Sequence, residues 1–122
     1  MKLAIIGYGA LGLQLEQFYH ELFGKPEQTH VFDDNQLYSE RKHHASPFND
    51  YLNETYADFE FIIGLGYKHL ATKISILKNL KKQGRRLANL IAPSCLISPS
   101  CQIGQGVVIF PGCNICMNTM IN

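Results

Sequence analysis

No stretch of the sequence reaches the roughly 18 consecutive apolar residues of a membrane-spanning helix, so no membrane insertion is expected. No charge of one sign dominates either. Eleven Lys and Arg stand against ten Asp and Glu, a formal net charge of +1. A field that weak does not select nucleic acid or an anionic membrane surface, and a specific small molecule or another subunit is the expected partner. Cysteine is absent until position 95, and of the four present (Cys95, Cys101, Cys113 and Cys116) only Cys113 and Cys116 stand in a C-x-x-C, with no second Cys or His pair at zinc-site spacing to complete it. No metal is expected, and the thiols read as reduced packing groups of a cytoplasmic protein. Histidine, in turn, is absent after His69. At 122 residues the chain is long enough for one modest core, or for a small domain with part of a second.

What is present begins with "MKLAIIGYGALGL". Its glycines, and Gln14, Glu16 and Gln17 after them without a small-residue cleavage site, argue against an export signal. Residues 2 to 7 form a continuously apolar run suited to a strand buried on both faces. From Ala10 the period changes, with Leu11, Leu15, Phe18 and Leu22 on one helical face and Gly24 and Pro26 as the stop. "THVFDD" (29–34) is a second strand, completing a βαβ unit. Residues 35–58 are polar and aperiodic, and "FEFIIGLG" (59–66) is a third strand. A second helix carries Leu70, Ile74, Leu77 and Leu80 on one face and ends at Gly84. "RRLANLI" is a fourth strand. Strands alternating with helices imply a parallel, right-handed α/β layer.

Gly7, Gly9 and Gly12 match G-x-G-x-x-G after a strand and at the opening of a helix. There the glycines permit a tight turn and close backbone approach, and the helix N-terminus offers free N–H groups to a diphosphate. Asp33, 21 residues beyond Gly12, stands near the position of a ribose-binding acid. The same residues also fit a purely structural role, with glycines packing helix on sheet and Asp33 and Asp34 capping a loop. Gly66 and Tyr67, at the end of the third strand, fit either a wall of the same pocket or a plain strand-to-helix turn. His43 and His44 fall in the polar connection and read as solvated, His69 reads as a helix-start residue, and His20 and His30 have no acidic or cysteine neighbour that would make a dyad recognisable.

From Ile91 the period is six: Ile91, Ile97, Ile103, Ile109, Ile115 and Ile121. Neither strand nor helix has that period, so it describes a longer superstructure in which equivalent residues of successive coils stack. Positions five of these segments hold Cys95, Cys101, Val107, Cys113 and Thr119, all compact, which suits small fillers facing inward.

The isoleucine-led hexapeptides resemble the left-handed β-helix of the hexapeptide-repeat acyltransferases. Together with "IIGYGALG", "VFDD" and the join "FIIGLGYK...IAPSCLISPSCQIG", the chain resembles sugar acetyltransferases of the sialic-acid O-acetyltransferase and pilin-glycan type over essentially its whole length. The resemblance implies a Rossmann-like parallel sheet with flanking helices over residues 1–88, binding a nucleotide-sugar or related acceptor. It implies the first coils of the β-helix over 89–122. It also implies a homotrimer, acetyl-CoA as acyl donor bound between β-helices, and acceptor contacts from Gly7, Gly9, Gly12, Asp33, Asp34, Gly66 and Tyr67. Many members read Gly-Asp-Asn at the third-strand turn, so Tyr67 and Lys68 depart from the pattern and leave the acceptor open. The family's general base is a histidine of a later hexapeptide. Its expected place is therefore beyond Asn122, and the chain reads as a truncated, inactive portion of an acetyl-CoA-dependent N- or O-acetyltransferase of surface-glycan biosynthesis. Two rival readings are a nucleotide or nucleotide-sugar sensor that uses the repeat only for assembly, and a nicotinamide-dependent oxidoreductase. The absence of a catalytic domain disfavours the latter.

Overall fold

The computed structural model describes residues 1–35, 43–111, 114–115 and 120–121, the last two pairs and Tyr67 by backbone alone. Cys113, Cys116 and Thr119 lie outside the described residues. The chain divides into two compact units, Met1–Leu87 and Ala88–Asn122.

The first unit is a parallel five-stranded sheet in the order β3-β2-β1-β4-β5. Its strands are β1 (Lys2–Ile6), β2 (Gln28–Phe32), β3 (His44–Ser46), β4 (Glu60–Ile63) and β5 (Arg86–Leu87), with helices α1 (Ala10–Phe23) and α2 (Leu70–Lys82). The apolar run of β1 is central, paired with β2 from Lys2↔Gln28 to Ile6↔Phe32 and with β4 from Leu3↔Glu60 to Ile6↔Ile63. That position buries both its faces, which is why Leu3, Ala4, Ile5 and Ile6 are all fully buried. Alternation along the strands sends Ala4, Ile6, Phe32 and Phe61 to one face, where they pack with Tyr51, Ile76 and Leu80. Leu3, Ile5, Val31 and Ile62 take the opposite face, which right-handed crossover from β1 to β2 covers with α1.

Three expectations change. The connection 35–58 is not irregular throughout: it contains β3 and 3-10 helices at Phe48–Leu52 and Glu54–Tyr56. Three residues are too few for a strand to show its period in sequence, and β3 is set instead by its pairing along β2, His30↔His44 to Phe32↔Ser46. "RRLANLI" is not one strand either. It divides into β5 and β6 (Leu90–Ile91), which belong to different sheets. In α2 the buried residues are Ile76 and Leu80, with Leu77 packed beside them, while Leu70 and Ile74 are 54% and 43% exposed. At about 100° per residue the buried stripe is centred toward Ile76, and Leu70 and Ile74 fall beyond its edge.

Arg85, following the positive-φ Gly84, is buried over the Phe61 ring and donates from Nη2 to the carbonyls of Leu52 (2.8 Å) and Asn53 (3.3 Å). It thereby fixes the end of the first 3-10 helix under α2.

Among the described residues of the second unit, six two-residue strands form three parallel pairs: β6 with β9 (Val108–Ile109), β7 (Leu96–Ile97) with β10 (Asn114–Ile115), and β8 (Gln102–Ile103) with β11 (Met120–Ile121). The registers Leu90↔Val108, Leu96↔Asn114 and Gln102↔Met120 share an offset of eighteen residues, three periods of the isoleucine repeat. Tight turns separate successive strands. Cys95 N–H donates to Ala92 O (3.1 Å) and Cys101 N–H to Ser98 O (3.0 Å), placing Pro93 and Pro99 at the second turn position, where a fixed φ is favourable. Gly106, at φ 72°, makes the next corner, braced by Asn89, whose side chain donates to Gly104 O and accepts from Val107 N–H, each at 3.0 Å. Ile109 is buried, whereas Ile91, Ile97 and Ile103 are half-buried, as are Cys95 and Cys101.

Backbone crowding at the strand ends generates a stability prediction. A Cβ on Gly64 would stand 2.7 Å from Gly12 Cα and run into the Gly7 carbonyl, whereas one on Gly66 would meet nothing within 4 Å. Gly64→Ala should lower the unfolding free energy by about 1–3 kcal/mol, and Gly66→Ala should stay within about 0.5 kcal/mol of the parent, as read by urea denaturation.

Candidate functional site

The carboxyl ends of β1, β2 and β4 meet at one edge of the sheet. The parallel ladders run one residue past the strands, Gly7 N–H donating to Phe32 O (2.8 Å) and Gly64 N–H to Ile6 O (2.7 Å). Gly7 takes φ 86°, a left-handed conformation, and turns the chain toward α1. Gly12, in the first turn of α1, and Gly64 are packed against Gly7 so closely that side chains at either would collide with backbone. Gly9 is the N-cap of α1 and supplies no side-chain cap, and no acidic residue stands in the helix's first turn. The positive end of the α1 dipole is thus not neutralised by a carboxylate on its own first turn. Gly66 opens the turn after β4, its carbonyl accepting from His69 N–H (3.0 Å), and Tyr67 begins the 3-10 helix Tyr67–His69.

The two aspartates diverge. Asp33 is drawn into the glycine loop: its Oδ2 accepts from Tyr8 N–H at 2.7 Å and its Oδ1 from Asn35 N–H at 2.8 Å. Asp34 turns to the connection that follows β3, accepting from Phe48 N–H at 2.9 Å. Of the expected site residues, Gly7, Gly12 and Asp33 are brought together around Tyr8, while Gly66 is not packed against the glycine cluster.

Two residues beside this loop, Tyr8 and Glu16, were not singled out by the sequence, and a third, His43, was expected to be solvated. The Tyr8 side chain is buried and donates its hydroxyl to Glu16 at 2.5 Å, and His43 Nε2 lies 2.5 Å from the other oxygen of the same carboxylate. The His43 ring sits edge-on to Tyr8, with ring centroids 6.0 Å apart. Burial, and then the hydrogen bond and the charge of Glu16, hold the Tyr8 phenol above its ordinary range. His43 is therefore not the solvated residue expected of a polar connection. The available signal was Glu16 itself, set between Leu15 and Phe18 on the face that α1 buries.

On β2, His30 is buried with its Nε2 2.7 Å from Ser46 Oγ and 3.2 Å from Tyr56 Oη, against the rings of Phe32 and Tyr56. Burial first, and then the neighbouring charge of His44, hold its pKa below the ordinary 6.5. Among the described residues no group of three His, Cys, Asp or Glu could hold a metal ion, and no helix is long and apolar enough to cross a membrane.

Two predictions follow the buried groups. His30 is kept neutral in the fold while the unfolded chain protonates near pH 6.5, so its stability contribution is present above that pH and is lost on acidification below it. Urea midpoints between pH 7 and pH 5 should fall for the parent protein and fall less for His30→Asn. Glu16→Leu removes the acceptor of both Tyr8 and His43 and should cost about 1–3 kcal/mol in the same assay at neutral pH.

No protein-family model matches the sequence, and no curated protein matches it. Solved structures do. PerB from Caulobacter crescentus, in complex with CoA and GDP-perosamine, superposes with a TM-score of 0.73 at 19% identity, over 98% of this chain and 56% of PerB. The acetyltransferase domain of PglB from Neisseria gonorrhoeae, in complex with acetyl coenzyme A, gives 0.70 at 26% identity, over 99% of this chain and 61% of that domain. The chain therefore spans between half and two thirds of the length of these structures. At 19% identity the likeness to PerB is one of fold; the Caulobacter crescentus neighbour is a perosamine N-acetyltransferase in complex with CoA and GDP-perosamine, and the PglB acetyltransferase domain is in complex with acetyl coenzyme A.

Proposed function

We propose that the chain is the acceptor-binding unit and the first coils of the left-handed β-helix of an acetyl-CoA-dependent N- or O-acetyltransferase acting on a nucleotide-activated sugar in surface-glycan biosynthesis. The observation that carries this reading is the order of two architectures in one short chain. A glycine turn between parallel strands is followed by strands paired at an eighteen-residue offset. The likeness of fold to PerB and to the PglB acetyltransferase domain supports it.

In this reading the free N–H groups that follow Gly9 at the start of α1 receive the diphosphate, with Gly7 and Gly12 allowing its close approach. Asp33 acts on the ligand and on the loop together, since a carboxylate that already holds Tyr8 N–H still has lone pairs for a ribose or base donor. Asp34, Gly66 and Tyr67 are the remaining acceptor contacts of this reading. The β-helix serves homotrimer assembly and shapes the acetyl-CoA groove. A cytoplasmic location agrees with a thioester donor and a nucleotide-sugar acceptor. The chemistry is direct attack of the acceptor amine or hydroxyl on the thioester carbonyl, with a histidine of a later hexapeptide taking the proton and CoA leaving as the thiol. None of this chain's histidines is assigned that role.

Binding and chemistry are tested separately. GDP or UDP amino sugars should raise the melting temperature of this chain while NAD should not. The product of the complete reading frame, given acetyl-CoA and the amino sugar nucleotide that binds, should release free CoA detectable with a thiol reagent. Stabilisation without CoA release would favour a nucleotide-sugar binding module, and the absence of both would overturn the reading.

A further inference from the structure

On the sheet face opposite α1, the first 3-10 helix (Phe48–Leu52) and α2 leave a cleft of about 410 Å³ between them. Among the described residues no charged side chain lines it. A phosphate or carboxylate entering it would find no ion-pair partner among the lining side chains, which suits the cleft to a neutral ligand. The polar groups present are amides and hydroxyls, those of Asn49, Thr72, Ser75 and Asn79, together with the Tyr51 phenol.

Tyr51 and Asn79 carry the argument. Asn79 Nδ2 donates to Tyr51 Oη at 3.0 Å, which leaves the Tyr51 O–H proton and Asn79 Oδ1 without a partner among the described residues. Turning the amide over exchanges the roles and again leaves one donor and one acceptor side by side. Tyr51 is only 5% exposed, so a hydroxyl proton left unmatched there carries a desolvation cost unless something in the cleft accepts it. Adjacent hydroxyls of a sugar ring suit the pair, because each can donate and accept at once. Phe48 completes the wall. Its backbone is tied to Asp34, and its ring offers an apolar surface for the C–H face of a pyranose.

We propose that this cleft is a second binding site, for a neutral sugar of monosaccharide size, with Tyr51 and Asn79 reading neighbouring hydroxyls and Phe48 as the stacking surface. It is lined by none of the glycine-loop residues and stands whether or not that loop takes a nucleotide.

The test is amide NMR of the uniformly 15N-labelled full chain titrated with glucose and, separately, with N-acetylglucosamine. Saturable shifts in the millimolar range are expected at Thr72, Ser75 and Asn79 with at least one of the two sugars. Tyr51→Phe, which removes the unspent donor, should weaken binding about tenfold. Ser75→Trp, on the exposed side of α2, should fill the cleft and abolish the shifts while leaving the rest of the spectrum in place, and it serves as the decisive variant should Tyr51→Phe fail to fold. Absence of saturable shifts with both sugars, shifts confined to the glycine loop, or shifts that persist in Ser75→Trp would overturn the proposal.

Discussion

Three glycines from separate parts of the chain touch backbone to backbone at the carboxyl edge of the sheet, and the first unit is organised by that contact. Gly7 turns out of β1, Gly12 lies in the first turn of α1, and Gly64 closes β4, and a methyl group on either Gly12 or Gly64 would collide with the Gly7 carbonyl. Close approach of this kind sets the height and tilt of α1 over β1 and β4. It also aims the uncapped N–H groups of the helix at the edge where open α/β sheets receive ligands. A residue with a side chain at Gly12 or Gly64 would lift the helix and displace those groups.

Around this contact the polar side chains divide between building the loop and leaving it open. Asp33 is committed to Tyr8 and Asn35 through both oxygens, which makes it part of the loop's framework as well as a ligand candidate. Glu16 gathers Tyr8 and His43 below the loop, so a buried carboxylate is matched on both oxygens. The first turn of α1 has no such acid. An anionic ligand at that turn and a neutral one in the cleft beside α2 would meet opposite electrostatic settings within one small unit.

Much of this was legible in the sequence where local chemistry decides the outcome. The β1 run, the glycine spacing and the stop of α1 at Gly24 are short-range signals, and the structure follows them. The period of six carries its geometry directly, since three periods equal the register offset of every pair in the second unit. What escaped were features made by contacts distant in sequence. β3 exists because β2 offers a free edge, and His43 is held because Glu16 faces it across 27 residues. The burial of α2 through Ile76 in place of Leu70 and Ile74 depends on how the helix is rotated against the sheet, which its own apolar spacing does not specify. Asn89, which interrupts the expected fourth strand, acts through carbonyl and amide groups fifteen and eighteen residues away.

The central claim is that the glycine turn presents α1's free N–H groups to the phosphates of a nucleotide. Residue-resolved amide shifts of the 15N-labelled chain during titration with GDP test it most directly. The account predicts that the largest saturable changes fall at Gly9, Ala10 and Leu11, with smaller ones at Gly66. Changes absent from these residues at saturating GDP, or confined to other parts of the chain, would contradict it.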